Sequence, residues 1–217
     1  MDPMELVLVS YHPEKLREIK RILQETLPDV HIVAAVELPP HILDSSIEDP
    51  LEKSSIHRAV AAADLLSKPC LADDSGLIIP SLGKERVWRE ERNHSGLFLP
   101  DTKKILKDLA MAGEMEREAF LECSLSFASP ENGLVKSVTC RMEGFISPKE
   151  KGTSPFDFSS IFIKYEYGKT LAELSSSVQS RISHRRKACE KLLPFLRSYY
   201  RRRAASSDTN PFVQLHQ

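Results

Sequence analysis

Apolar positions recur along the chain in two rhythms. Residues 5–9 are apolar from Leu6 onward, with β-branched Val7 and Val9, and read as a buried strand. After Ser10-Tyr11-His12-Pro13 the spacing changes. Leu16, Ile19, Ile22 and Leu23 recur at helical intervals and predict a helix from residue 13 to about residue 26. Pro13 lies in its first turn, where a missing N–H is tolerated, and Pro28 ends it. A second strand is expected over residues 30–35, then a polar, proline-bearing loop over 37–50 and an Ala-rich helix over 51–67. Residues 69–72 read as a short strand that runs into Asp73-Asp74-Ser75-Gly76, and residues 77–79 resume as a strand. Residues 84–96 are charged and irregular, and a helix is predicted over 100–111. Residues 119–128 and 134–146 look extended and form an antiparallel ribbon about the turn Glu131-Asn132-Gly133, with Gly144 as a bulge or close approach. A short strand over 158–164 and a last helix from about 178 to 200 complete the pattern. The tail, 201–217, has few apolar residues and is expected to be disordered.

Strand–helix alternation followed by antiparallel strands predicts a mixed α/β fold. A central twisted mixed sheet would carry flanking helices, as a single domain over residues 1–200 with two lobes around a cleft.

Composition narrows the function more than the fold. The 217 residues are 41% hydrophobic and 28% charged, with a formal net charge of −1. A neutral chain is a poor match for a duplex nucleic-acid partner, whose binders tend to be basic. No run approaches the roughly 18 apolar residues of a membrane span. Residues 1–9 carry Asp2 and Glu5 instead of a basic segment, so no signal peptide is expected and the setting read is cytoplasmic. Cys70, Cys123, Cys140 and Cys189 show no CxxC spacing and read as reduced, buried thiols.

Four segments carry candidate chemistry. Ser10-Tyr11-His12-Pro13-Glu14-Lys15 joins a strand to a helix N-terminus, where free N–H groups and a positive dipole end favour phosphate; Ser10 and Lys15 add a hydroxyl and a cation. By itself such a serine is more often a helix cap. Asp73-Asp74-Ser75-Gly76 sets two carboxylates at the end of an apolar strand, where α/β folds bind ligands, and two hard oxygen donors suit Mg²⁺ with substrate phosphates. The plain alternative is a solvated Asx turn. Ser183-His184-Arg185-Arg186 brings donors to the opening of a long helix, against the alternative of a charged helix face. Phe156 and Phe158, flanking Asp157, could stack on a base or simply fill the core.

Taken in order, these blocks resemble the inosine triphosphate pyrophosphatase family, which removes dITP and XTP. The resemblance covers residues 6–193. The family's Thr/Ser-x-Asn-x-x-Lys segment appears as residues 10–15, and its Leu-Ala-Asp-Asp-Ser-Gly-Leu block is intact at 71–77. Its Gly-Lys-Thr-x-Ala-Glu-Leu stretch falls at 168–174 and its Ile-Ser-His-Arg at 182–185. The resemblance implies that Asp74 is the general base, that Asp73 and Asp74 hold Mg²⁺, and that Ser10 and Lys15, with the backbone of Tyr11, His12, Pro13 and Glu14, grip the triphosphate with Ser75 beside it. It further implies that His184 and Arg185 meet the base and sugar-phosphate side, that Phe156, Asp157, Phe158 and Ser159 frame the purine, and that the protein is a homodimer.

Departures from the pattern fall mostly on base recognition. His12 stands for the family's asparagine and Arg58 for a lysine. Asp157 stands for a glycine, Ser159 for the purine-framing aspartate and Gln179 for a lysine. The family's Leu-Gly-Gly-x-Pro-Gly loop reads Leu82-Gly83-Lys84-Glu85-Arg86-Val87, and its acidic residue after the second strand has Asp44 and Glu48 as candidates. Reaction type is therefore firmer than substrate. Pyrophosphatases for other aberrant nucleotides, and a non-catalytic nucleotide-binding paralogue, are the competing readings.

Overall fold

The computed structural model describes residues 4–10, 12–35, 38–39, 42, 50–83, 86–92, 98–153 and 157–208. In chain order, β1 (Glu5–Val9) leads into α1 (Pro13–Thr26), β2 (His31–Ala35), α2 (Leu51–Leu66) and β3 (Cys70–Ile78). Short strands β4 (Val87–Trp88), β5 (Glu91–Arg92) and β6 (Phe98–Leu99) precede α3 (Thr102–Asp108). The long hairpin β7 (Glu118–Ser129) and β8 (Gly133–Ile146) follows, then β9 (Phe162–Lys164), β10 (Lys169–Thr170), α4 (Ser176–Ile182) and α5 (His184–Asp208). The main sheet runs β10-β9-β8-β7-β3-β1-β2, with β4 added to β3; β5 and β6 pair separately. β1 is parallel to β2 and β3, whereas β3, β7, β8, β9 and β10 pair antiparallel. The expected mixed α/β sheet with flanking helices is borne out.

Strand alternation assigns the two faces. Leu6, Leu8 and Leu71 pack with Leu16, Ile19 and Leu23 of α1 and with Leu192 and Leu196 of α5. Val7, Val9, Cys70 and Ala72 face the other way, onto Ala59, Ala62 and Ala63 of α2. Those alanines let the α2 backbone approach the sheet closely. At the far end of the sheet, Leu77, Trp88, Ile105, Met142, Phe158 and Phe162 form a separate apolar cluster. Each large side chain fully buried in these layers contributes on the order of 1.5–3 kcal/mol. All four cysteines are buried and free. Burial pushes the Cys70 thiol up to about 12, with Glu5 adding to the effect, and raises Cys123 and Cys189 as well.

Five details differ from the sequence reading. Asp73-Asp74-Ser75-Gly76 is not a turn between two strands: β3 is one continuous strand, because β7 pairs with it from Cys70 to Ile78. The charged stretch after residue 83 carries short strands, since β4 closes onto Leu77 and Ile78. Residues 158–160 form a 3₁₀ turn, capped by Asp157, before β9 begins at Phe162. The last helix is two helices, broken at Ser183, whose backbone is extended and whose hydroxyl accepts the Arg186 N–H at 3.3 Å. Finally, α5 continues through the triple arginine to Asp208, eight residues past the expected end. Arg203 anchors that extension by donating to Glu131 Oε1 at 2.7 Å and to the Tyr199 hydroxyl at 3.0 Å. Residues 209–217 lie outside the described residues.

Candidate active site

The parallel pairing of β1 with β3 ends at Val9 and Ala72. Beyond that point the start of α1 flanks β3, and the Lys15 ammonium donates to Ser75 O at 3.2 Å. Alternation then sends the two acids to opposite faces. Asp73 and Ser75 turn toward α1 and α5: the Ser75 hydroxyl donates to Asp73 Oδ2 at 3.2 Å, and Arg185 Nε donates to Ser75 Oγ at 3.3 Å. Arg185 is held in turn by Glu18, Nη1 to Oε2 at 3.2 Å, and the other Glu18 oxygen accepts the Ser183 hydroxyl. The break between α4 and α5 at Ser183 thus places His184 and Arg185 in the first turn of α5, on the face of β3 that carries Asp73 and Ser75.

Asp74 turns toward α2. Its Oδ2 accepts from Arg89 Nη2 at 3.0 Å and Nε at 3.3 Å. Its Oδ1 accepts the Ser75 N–H at 3.1 Å and lies 3.6 Å from Arg58 Nη1. Arg58 also donates to the Asp73 carbonyl oxygen at 3.0 Å. The arginine at the family's lysine position therefore stays at β3.

Burial and charge act together on four groups here, Glu90, His12, His184 and Arg185. Lys15 pairs with Glu90 at 2.8 Å. Burial alone would raise the Glu90 carboxyl, but Lys15 and Arg185 outweigh it and hold Glu90 below the usual range. Burial, reinforced by the Lys15 charge, takes the His12 imidazole down to about 4. His184 is pushed well below its ordinary value by burial and then by Arg185 and Lys15. For Arg185, burial favours the neutral form, yet Glu18 overrides it and fixes the positive charge. The site at neutral pH thus holds two neutral imidazoles among fixed cations and anions.

A cavity of about 220 Å³ opens beside these groups, walled by Asp157, Phe158, Ser159, Gln179, His184 and Arg185. It is smaller than the roughly 300–1,000 Å³ of pockets that enclose whole drug-sized ligands, so it suits a base rather than an entire nucleotide. Asp157 accepts from the Ser159 N–H at 3.0 Å and from its hydroxyl at 2.7 Å. The family's aspartate is absent at 159, but an acid two residues earlier lines the same cavity. Gln179 Nε2 donates to Leu174 O at 2.8 Å, and both ring nitrogens of His184 are buried without a hydrogen-bond partner.

Ser10, His12, Lys15, Asp73, Asp74, Ser75, Ser159 and His184 are all buried in this region, and the His12 N–H donates to Ser10 Oγ at 3.3 Å. Pro13 and Glu14 are exposed, and Glu14 pairs with Arg17 at 2.6 Å. Tyr11, Phe156, Asp44 and Glu48 lie outside the described residues. Glu18, Arg89 and Glu90 belong to the site and were missed from sequence. Glu18 stands one turn beyond Lys15 on the same helix, a spacing that could have flagged it. Arg89 and Glu90 carry a fainter signal, following the apolar pair Val87-Trp88 in a charged run.

A model of the Ham1 family matches residues 6–195. The chain belongs to the Ham1 family. It is 34% identical to the dITP/XTP pyrophosphatase of Chlamydia pneumoniae over 208 residues, covering 94% of this chain and 100% of that one. It is 35% identical to the dITP/XTP pyrophosphatase of Protochlamydia amoebophila over 198 residues, covering 89% and 98%. The solved structure of the Staphylococcus aureus Ham1 protein superposes with a TM-score of 0.71 at 29% identity, covering 90% of this chain and 99% of that one. That of the dITP/XTP pyrophosphatase from Mycobacterium abscessus gives 0.67 at 26% identity, covering 88% and 100%. The resemblance read from the motifs is borne out. Mg²⁺ was expected on Asp73 and Asp74. Among the described residues no three His, Cys, Asp or Glu side chains group as a metal site. Asp73 Oδ1 is nonetheless buried with no hydrogen-bond partner, a carboxylate oxygen suited to a hard cation completed by substrate oxygens. Asp74 differs, since Ser75 and two guanidinium groups cover its oxygens. Among the described residues, no helix is long and apolar enough to cross a membrane.

Proposed function

We propose that this chain hydrolyses deaminated purine nucleoside triphosphates, dITP, ITP and XTP, to the monophosphate and pyrophosphate. The convergence of Lys15, Ser75 and Arg185 on the strand carrying Asp73 and Asp74, beside a base-sized cavity, supports the reading. The chain's similarity to the dITP/XTP pyrophosphatases of Chlamydia pneumoniae and Protochlamydia amoebophila agrees with it.

In this reading Lys15 binds the phosphate chain at the head of α1. The base enters the cavity between Phe158 and the first turn of α5. Neutral His184 and charged Arg185 offer donors to an oxygen at the purine six position, where an amino group would leave them unpaired. Asp74 accepts the proton of the attacking water, once Arg58 and Arg89 turn from its oxygens to the phosphates. Asp73, through Oδ1, would hold Mg²⁺ together with phosphate oxygens, whereas Asp74, which faces α2 from the other side of β3, is left to the water. The ion, when bound, neutralises phosphate charge and orients the chain. A cytoplasmic homodimer completes the proposal, and light scattering on the purified protein tests the assembly.

The decisive experiment is a panel of ITP, dITP, XTP, GTP and ATP with pyrophosphate readout, with and without Mg²⁺. Deaminated purines should be cleaved at least tenfold faster than ATP. Asp74→Asn should lower kcat by roughly 10²–10⁴-fold, the usual size of general-base catalysis, with nucleotide binding kept. Equal turnover of ATP, or full activity of Asp74→Asn, would sink the reading.

A further inference from the structure

Arg89 and Glu90 follow β4, and they reach two different groups. Arg89 covers Asp74, while Glu90 Oε2 accepts from Lys15 Nζ at 2.8 Å. Each side chain carries the charge opposite to that of the group it touches. Burying an ion pair can lose more hydration than the contact returns, so this pair is weak evidence for a purely stabilising role. Glu90 also lines the base-sized cavity, so its charge stands between that cavity and the Lys15 ammonium, where the phosphates of a nucleotide seated there would lie.

We propose that Glu90 occupies the phosphate seat of Lys15 in the free protein and yields it to the nucleotide, so that this one acid sets the affinity for the polyphosphate chain. The proposal rests on the reading of Lys15 as a phosphate-binding cation. A carboxylate oxygen and a phosphate oxygen are alike as acceptors, and both form short charge-assisted bonds to an ammonium. Lys15 has three N–H donors, and Ser75 O and Glu90 take two of them. A phosphate oxygen can begin on the third and then displace Glu90. Binding must therefore overcome the Lys15–Glu90 contact and the repulsion between Glu90 and the phosphates.

The test uses inorganic tripolyphosphate, which has no base, in calorimetric titrations of the full chain. Binding by the unaltered protein, abolished by Lys15→Ala, establishes the cation's role. Glu90→Gln should then bind tripolyphosphate roughly tenfold tighter, since a repulsive unit charge at close range is gone. The KM for ITP should fall in parallel, with kcat within a few-fold. Its melting temperature should drop without ligand, because Lys15 loses its counter-ion, and recover more than the unaltered protein's when tripolyphosphate is added. Glu90→Asp, too short for the 2.8 Å contact, should tighten binding about threefold and serves if Glu90→Gln does not fold. Unchanged or weaker affinity in the folded variants, with the unaltered protein still binding, means Glu90 is only a structural counter-ion and overturns the proposal while the role of Lys15 stands. No binding by the unaltered protein removes both.

Discussion

Lys15 shows how much one side chain carries in this site. Its stem belongs to α1, its ammonium ties α1 to Ser75 of β3, and Glu90 balances its charge. Lys15→Ala should raise the KM for nucleotide by roughly 10–100-fold, about 1.4–2.8 kcal/mol. It should also lower the melting temperature, since Glu90 is left buried without its partner. Steady-state kinetics and thermal unfolding check the two effects; an unaltered KM and kcat would make Lys15 merely structural. The cation was legible in sequence because a strand, a serine and a lysine at the opening of a helix are a local pattern. Its counter-ion was not: 75 residues separate Lys15 from Glu90, and in the run Arg89-Glu90-Glu91-Arg92 nothing marks one acid as buried.

Among the elements, β3 departs most from local expectation. Asp73-Asp74-Ser75-Gly76 has the composition of a turn, yet nine residue pairs with β7 keep it extended; tertiary pairing overrides local preference. The continuity matters, because extended backbone sends Asp73 to the face of Ser75 and Arg185 and Asp74 to the face of Arg58 and Arg89. Gly76 secures the arrangement. A Cβ there would meet Val87 Cγ1 at 2.5 Å and Trp88 O at 2.6 Å, so any side chain pushes β4 off β3. Gly76→Ala should cost about 1–3 kcal/mol, seen as a melting point several degrees lower. It should also tighten tripolyphosphate binding, in parallel with the Glu90 variants, because Glu90 follows β4 and is drawn off Lys15 with it. A variant as stable and as tight as the parent would show that β4 does not position Glu90. Elements with strong periodicity, β1, α1 and the β7–β8 hairpin, were legible almost to the residue. The break at Ser183 was legible only in part: Ser183-His184-Arg185-Arg186 reads as a helix opening, yet helical spacing begins at about residue 178, and the contacts of Ser183 with Glu18 and Arg186 mark the boundary. Gly144 was legible as a close approach: a Cβ there would lie 2.2 Å from Ile163 O of β9.

At the scale of the whole molecule, the buried imidazoles make stability depend on pH. The folded His12 value, about 4, lies below the 6.5 of the unfolded chain. On acidification the unfolded state therefore takes up the proton first. The stability present above pH 6.5 is lost progressively as the pH falls toward 4, by up to about 3 kcal/mol for His12 alone. His184, also lowered, acts in the same direction, and Glu90 adds its share below about pH 4.5. Urea unfolding between pH 7.5 and 4.5 should show a falling midpoint, and His12→Asn should flatten that slope. A midpoint independent of pH in the parent would mean that neither histidine is buried neutral.

The sealed thiols give the same chain a built-in gauge of its own integrity. With Cys70, Cys123, Cys140 and Cys189 packed beneath the sheet faces and held protonated where burial raises them, a chromogenic disulfide reagent finds nothing to attack in the native molecule. Every equivalent of colour released then counts chains that have opened, four per molecule, so destabilised variants can be ranked by reagent uptake without a calorimeter.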